Sequence, residues 1–224
     1  FNNKFGVPIS LFNINQKNNF GVFEVGMDKK GEIGSLSSLT MPNTGIITNI
    51  SYAHIKNFKS LAEIASAKGE LIDKIIKGGT LILNKDDKFY RYFKKKALRK
   101  NLKVISFSKM SKSDIRFIKT KKINNKLKAS FLVNSKIFNF NIHHTLEPYI
   151  ENLSGVIAVL SIYFNLDKLD KNIFLDFRPT KGRGNIATIN ISKNKVKLID
   201  ESYNSNPLSL KFSIEKFSSM DSNN

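Results

Sequence analysis

Apolar positions recur along this chain in two alternating styles. Compact apolar blocks at Ile9–Ile14, Phe20–Val25, Ile46–Ile50, Thr80–Leu83 and Val104–Phe107 read as strands. Between the later blocks the apolar residues take helical spacing. A short helical segment follows the loop that Gly26 opens. A longer helix begins at Ser60 and Glu63, which form an S-x-x-E capping box, and ends at Gly78-Gly79. A basic helix covers about Phe89 to Lys100. This alternation from Phe20 to Phe107 predicts an α/β fold, a mainly parallel sheet flanked by helices. The pattern changes at Ile115. Ile115–Lys119, Leu127–Val133 and Ile137–Ile142 are short strands joined by polar turns, with Asn134-Ser135 as a hairpin turn, and together they predict an antiparallel β addition. A helix from about Pro148 to Phe164 follows, turning Ile150, Leu153, Ile157 and Leu160 inward.

Asp167–Asp176 is polar and reads as a domain boundary. The stretch RPTKGRGN after it is rich in Gly, Pro and basic residues and reads as a hinge. Strands at Ile186–Ile191 and Val196–Asp200 and the loop ESYNSNP then lead into a helix, with Asn206 as N-cap and Pro207 at its first position. The predicted organisation is therefore one domain over 1–176 and the start of another over 177–224.

Composition narrows the class. Of 224 residues, 41% are hydrophobic and 11% aromatic, enough for a substantial core. No run is long enough to span a bilayer. The chain opens on Phe1 with no leader-like segment, which reads as a cut into a longer chain. It has no cysteine, so disulfides and thiolate metal sites are excluded, consistent with a reducing cytoplasm. The formal net charge is +19. Such an excess suits a polyanionic partner such as nucleic acid. Abundant Lys, Asn, Ile and Phe equally suit AT-rich coding, and the lysines read as scattered apart from Lys94-Lys95-Lys96 and Lys121-Lys122. The second reading is preferred, and neither an RRM-type nor a helix-turn-helix signature supports a nucleic-acid-binding module.

The candidate chemistry gathers at the ends of the early elements. On the helix after Ser60, Leu61, Ile64, Ala65, Ile72 and Ile75 share one face, and Lys68 falls among them. A lysine on a buried stripe either snorkels to the surface or is desolvated, which lowers its pKa. A neutral amine is nucleophilic and can react with carbon dioxide. Glu24 ends a predicted strand, where α/β proteins place ligand and metal groups, although an exposed strand end explains it as well. His54 lies in the loop before the Lys68 helix. A carboxylate, an imidazole and a carbamylated lysine are together reasonable ligands for a divalent cation.

EVGM-x-x-x-GEI, TNI-x-x-AH, AxAKGE, the N-x-D-D turn, the GRG hinge and IDESYNSNP occur here in this order. The set resembles the Mur ligases, most closely those joining D-alanyl-D-alanine to UDP-N-acetylmuramoyl-tripeptide. The resemblance implies a central ATP-binding domain and the start of a Rossmann-like C-terminal domain. It implies an ATP-dependent amide ligase with magnesium, acting through an acyl phosphate in the cytoplasm, as a monomer without nucleic acid. It assigns catalysis to carbamylated Lys68 and His54, and metal binding to Glu24, His54 and Lys68. It assigns ATP contacts to Asn84, Asp86, Asn152, Arg183, Asp200, Glu201, Tyr203 and Asn204, and substrate contacts to Asn2 and Asn3. The family's P-loop does not occur in the chain, so the chain alone is expected to be inactive. LEPYIEN lacks the family's frequent His, and Glu201 stands where Asp is usual. Another ligase of the superfamily, of folylpolyglutamate type or acting on a different muramoyl peptide, is the alternative.

Overall fold

The computed structural model describes residues 2–51, 57–123, 126–192, 194–203 and 207–218. Its centre is a six-stranded sheet in sequential order. Strands β1 (Thr44–Ile47), β2 (Thr80–Asn84) and β3 (Lys103–Ser108) run parallel, and β4 (Ile115–Ile123) joins β3 in parallel. β5 (Lys126–Val133) and β6 (Lys136–Ile142) then continue antiparallel. This is the predicted α/β sheet with its antiparallel addition. Asn134 and Ser135 both take positive φ, at 47° and 69°, as a two-residue hairpin turn requires.

Helices cover both faces of the parallel part. On one side lie α2 (Glu32–Thr40), α3 (Leu61–Lys68), α4 (Glu70–Lys74) and α5 (Tyr90–Arg99). Their core joins Ile64, Ile72 and Phe93 to Leu81 and Leu83 of β2. On the other side α6 (Ile150–Tyr163) packs Ile150, Leu153 and Ile157 against Ile82, Phe107, Ile115 and Phe131. Gly155 lets α6 approach β1, since a Cβ there would lie 3.0 Å from Ile46 Cδ1.

Three sequence expectations need correction. Ile9–Ile14 is not a strand. The residues Gly6–Phe12 form helix α1, because Asn3 Oδ1 accepts the Phe5 and Gly6 N–H groups at 3.1 and 3.0 Å and so starts a turn. Phe20–Val25 is not a buried strand either. It is irregular, with Val22 95% exposed, and Phe20 packs on Tyr163 and Phe164 at the end of α6 instead. The helix expected from Ser60 to Lys77 is two helices, broken at Gly69. Its start is as expected: Ser60 Oγ accepts the Glu63 N–H at 3.2 Å, and Glu63 Oε2 accepts the Lys59 N–H at 2.8 Å.

After α6 the chain makes an antiparallel pair, β7 (Asn185–Ile191) and β8 (Asn194–Asp200), in a separate two-stranded sheet. Helix α7 (Pro207–Ser218) follows. No helix among the described residues is long and apolar enough to cross a membrane.

Candidate active site

The carboxyl ends of parallel strands are where an α/β sheet leaves its backbone open to a ligand. Here the ends of β1 and β2 are tied together by Asp87. Its Oδ2 accepts the Ile50 N–H at 2.7 Å and its Oδ1 the Phe89 N–H at 2.8 Å, joining the segment after β1 to the turn that opens α5. Lys68, the last residue of α3, reaches into this junction. It is half-buried, and its Nζ donates to Asn49 O at 3.0 Å. Burial lowers its pKa, and the Asp87 carboxylate partly opposes that shift. The stripe reading is correct to this extent: Ile64, Ala65, Ile72 and Ile75 are buried, and the one amine among them is desolvated. His54 lies outside the described residues. Among the described residues no three His, Cys, Asp or Glu side chains cluster as a metal site.

Glu24 lies on another wall. It is exposed, and its Oε1 accepts Asn2 Nδ2 at 3.0 Å. Asn2 O also accepts the Gly26 N–H at 2.7 Å, so residue 2 and the end of EVGM are held side by side. Asn2, Asn3 and the loop Gly26–Gly31 line a cavity of about 980 Å³, which Tyr203 closes from the far end of the chain. The loop is shaped by two carboxylates. Glu32 accepts the Asp28 and Lys29 N–H groups at 2.7 and 3.1 Å, which lowers its pKa. Glu70, first residue of α4, accepts the Gly31 N–H on Oε1 and the Gly34 N–H on Oε2, at 2.8 and 2.9 Å. The Glu of AKGE therefore anchors the start of α2, a role its sequence context does not signal.

A third group joins β2 to the hinge. Asn84 is buried; its Nδ2 donates to Glu151 Oε1 and its Oδ1 accepts the Asp86 N–H at 2.9 Å. Asp86 itself turns to the segment after β3, accepting the Lys109, Met110 and Ser111 N–H groups. Asn152 is exposed on α6 beside Glu151. Tyr149 OH donates to Arg183 O at 2.9 Å, and the Arg183 guanidinium sits 4.9 Å from the Tyr203 ring centre. Gly182, at φ +80°, allows this turn to lie against Tyr203, where a Cβ would come within 2.7 Å of the tyrosine's own Cβ. Asp200 Oδ1 accepts the Ser202 N–H and Oγ–H, which lowers its pKa. Burial and then the Glu201 charge raise the Tyr149 pKa. Arg183, Asp200, Glu201 and Tyr203 thus form one turn pair facing the start of α6. Asn204 lies outside the described residues. Sequence reasoning missed Tyr149, Glu151, Asp87 and Glu70. Asp87 stood in the N-x-D-D turn and Glu70 in AKGE, but neither motif signals the contacts these carboxylates make.

Residues 1–160 match the family model described as Mur ligase middle domain. The chain belongs to the Mur ligase family. Among curated Mur ligases, it is 32% identical over 218 residues to the UDP-N-acetylmuramoyl-tripeptide–D-alanyl-D-alanine ligase of Rickettsia prowazekii, covering 96% of this chain and 47% of that protein. The ligase of the same name from Buchnera aphidicola of Acyrthosiphon pisum is 31% identical over 210 residues, covering 93% and 45%. The chain spans about half the length of the curated relatives it matches. Among solved structures, MurF from Acinetobacter baumannii superposes with a TM-score of 0.81 at 23% identity, over 96% of this chain and 46% of that one. MurF from Thermotoga maritima, solved in complex with ADP, gives 0.73 at 19%, over 95% and 47%. These structural likenesses show the Mur ligase fold.

Proposed function

We propose that this chain is the central part, with the start of the C-terminal part, of a ligase that joins D-alanyl-D-alanine to UDP-N-acetylmuramoyl-tripeptide. The two parts would divide near residues 176–177. The observation that carries the reading is the 32% identity to a ligase of that name along 96% of the chain. The reaction class is activation of the tripeptide carboxylate by phosphoryl transfer from ATP, then attack by the dipeptide amine and release of phosphate. Such chemistry depends on alignment and charge neutralisation more than on a reactive side chain. By this reading it takes place in the cytoplasm.

Glu24 and Lys68 suit a hard cation. Glu24 uses one oxygen on Asn2 and has no further partner among the described residues for the other. Lys68, with its pKa lowered by burial, keeps a larger neutral fraction that carbon dioxide can convert to a carbamate. Glu24, His54 and carbamylated Lys68 would then hold magnesium, which when bound neutralises phosphate charge. The remaining groups bind and orient. Asn84, with Glu151 and Asn152, would meet the adenine, and Asp86 shapes that wall. Arg183 with Asp200, Glu201, Tyr203 and Asn204 would approach the nucleotide from the C-terminal side. Asn2 and Asn3, at the mouth of the cavity, would touch the muramoyl substrate.

The test uses the complete enzyme. ADP release should require both the muramoyl tripeptide and D-alanyl-D-alanine; release indifferent to the dipeptide would refute the proposed reaction. Lys68→Ala should abolish turnover, and formate or acetate should restore part of it by replacing the carbamate. Full activity of Lys68→Ala would reject the carbamate role.

A further inference from the structure

The positive charge of this chain is not scattered. Between Lys88 and Leu146 there are seventeen Lys and Arg residues and one acidic residue, Asp114, so sixteen of the nineteen net charges fall in this segment. Asp114 is already subtracted in that sum, and its Oδ2 accepts the Ser106 N–H and Oγ–H at 2.8 and 2.6 Å.

The fold gathers much of this charge on one side of the sheet. On α5, Arg91, Lys94, Lys95 and Arg99 make one solvent-facing stripe around Leu98, bordering a shallow groove of about 490 Å³. Phe93 and Ala97 on the opposite face hold the helix to the core. Lys96 and Lys100 are spent elsewhere, on Asp73 and the carbonyls of α4. Strand register carries the charge onward. Phe107 pairs with Ile115 and Ser108 with Arg116, so Arg116 lies on the α5 side of the sheet. Arg116 pairs with Leu132, Lys119 with Ser130 and Lys121 with Lys128, which puts Lys119, Lys121, Lys126 and Lys128 on that same side. Helix α5 packs on β2 and β3. Among the described residues no helix covers this face of β4–β6. Like charges at helical i,i+4 positions and directly opposite across strands are destabilising. No acid on these elements relieves them.

We propose that this face docks on an anionic lipid surface, independently of the ligase reading. Two observations favour lipid over a polynucleotide. Phe117, Phe131, Phe138 and Phe140 all turn into the core on the opposite side of the strands, so the strand part of the cationic face offers bases no aromatic platform, and on α5 only Tyr92 stands well exposed beside the stripe. Exposed aliphatic side chains sit among the cations instead, Leu98 at 54% and Ile137 at 57%, as suits contact with a headgroup layer.

Co-sedimentation of the full chain with vesicles tests this. Binding is expected to vesicles of phosphatidylcholine with phosphatidylglycerol, not to phosphatidylcholine alone, and to weaken with salt. Each Lys or Arg near such a surface contributes about 1 kcal/mol, roughly fivefold. Changing Arg91, Lys94, Lys95 and Arg99 together to Gln should therefore reduce partitioning by roughly several hundredfold without lowering the melting temperature. The same is expected for Lys119, Lys121, Lys126 and Lys128, which gives a second variant should the first not fold. Changing Lys17, Lys168, Lys171 and Lys197 should have a much smaller effect. Equal loss with this control set, equal binding to neutral vesicles, no binding to anionic ones, or tighter binding to a short single-stranded oligonucleotide than to the vesicles would each overturn the proposal.

Discussion

Asp86 is the residue whose family assignment and whose contacts diverge most. The resemblance puts it at the adenine, yet its carboxylate is occupied by backbone. Oδ2 accepts the Lys109 and Met110 N–H groups at 2.7 and 2.9 Å, and Oδ1 accepts that of Ser111 at 3.0 Å. Asp86→Ala leaves three amides without their acceptor. A hydrogen bond to a charged group contributes about 1.5–3 kcal/mol. Asp86 is half-exposed and water can replace part of each bond, so the set is worth about 2–3 kcal/mol. For a chain of this size that lowers the melting temperature by about 5–10 °C. Asp86→Asn keeps one acceptor oxygen but turns an NH₂ towards N–H donors, so it should fall nearly as far. The effect depends on pH. Burial raises the Asp86 pKa, but hydrogen bonds from Ser111, Met110 and Lys109 outweigh it and the net shift is downward. The contribution is therefore complete above the ordinary Asp pKa of about 4 and is lost as pH falls through the lower folded value. Thermal melts by circular dichroism from neutral pH into acid should show the parent and Asp86→Ala converging in acid. A variant melting within about 1 °C of the parent at neutral pH, against the shift expected above, would refute the structural role.

Ser37 Oγ is fully buried without a hydrogen-bond partner, so Ser37→Ala should raise stability by up to about 1 kcal/mol; a lower melting temperature would reveal an overlooked partner. Lys100 Nζ donates to Ile72 O at 3.2 Å, Ile75 O at 3.0 Å and Asp73 O, closing the end of α4. Lys100→Met keeps the apolar stem and should cost about 1–3 kcal/mol, read as a lower urea midpoint with an unchanged slope; an unchanged midpoint would show that these carbonyls need no cap.

The sheet was legible in the sequence because β2, β3, β5 and β6 carry apolar runs bounded by turn residues, and the α3 start because its capping box is local. Phe20–Val25 misled because an apolar run carries no record of whether a ladder partner awaits it; Phe20 instead found aromatic partners on α6. Ile9–Ile14 misled because the Asn3 cap outweighs a short apolar run. Of the candidate site, periodicity put Lys68 on the buried stripe but left open whether it snorkels or is desolvated. The Asn84–Glu151 and Tyr149–Arg183 contacts were not legible, since each joins residues far apart along the chain. The cationic bias between Lys88 and Leu146 stood in the sequence, but its gathering on one side of the sheet depends on strand register.

The clamp of Glu70 on Gly31 and Gly34 also governs how this region can open. Helix α4 is held by Ile72 in the central core, with Ile75 following it there. The loop Gly26–Gly31 therefore belongs to the same cooperative unit as α4 and does not fray as a surface loop. Amide exchange at Gly31 and Gly34 should follow the opening of α4, while Lys30, with no such acceptor, exchanges sooner. A wall fixed in this way is in place before anything enters the cavity, so a ligand loses little affinity to ordering it.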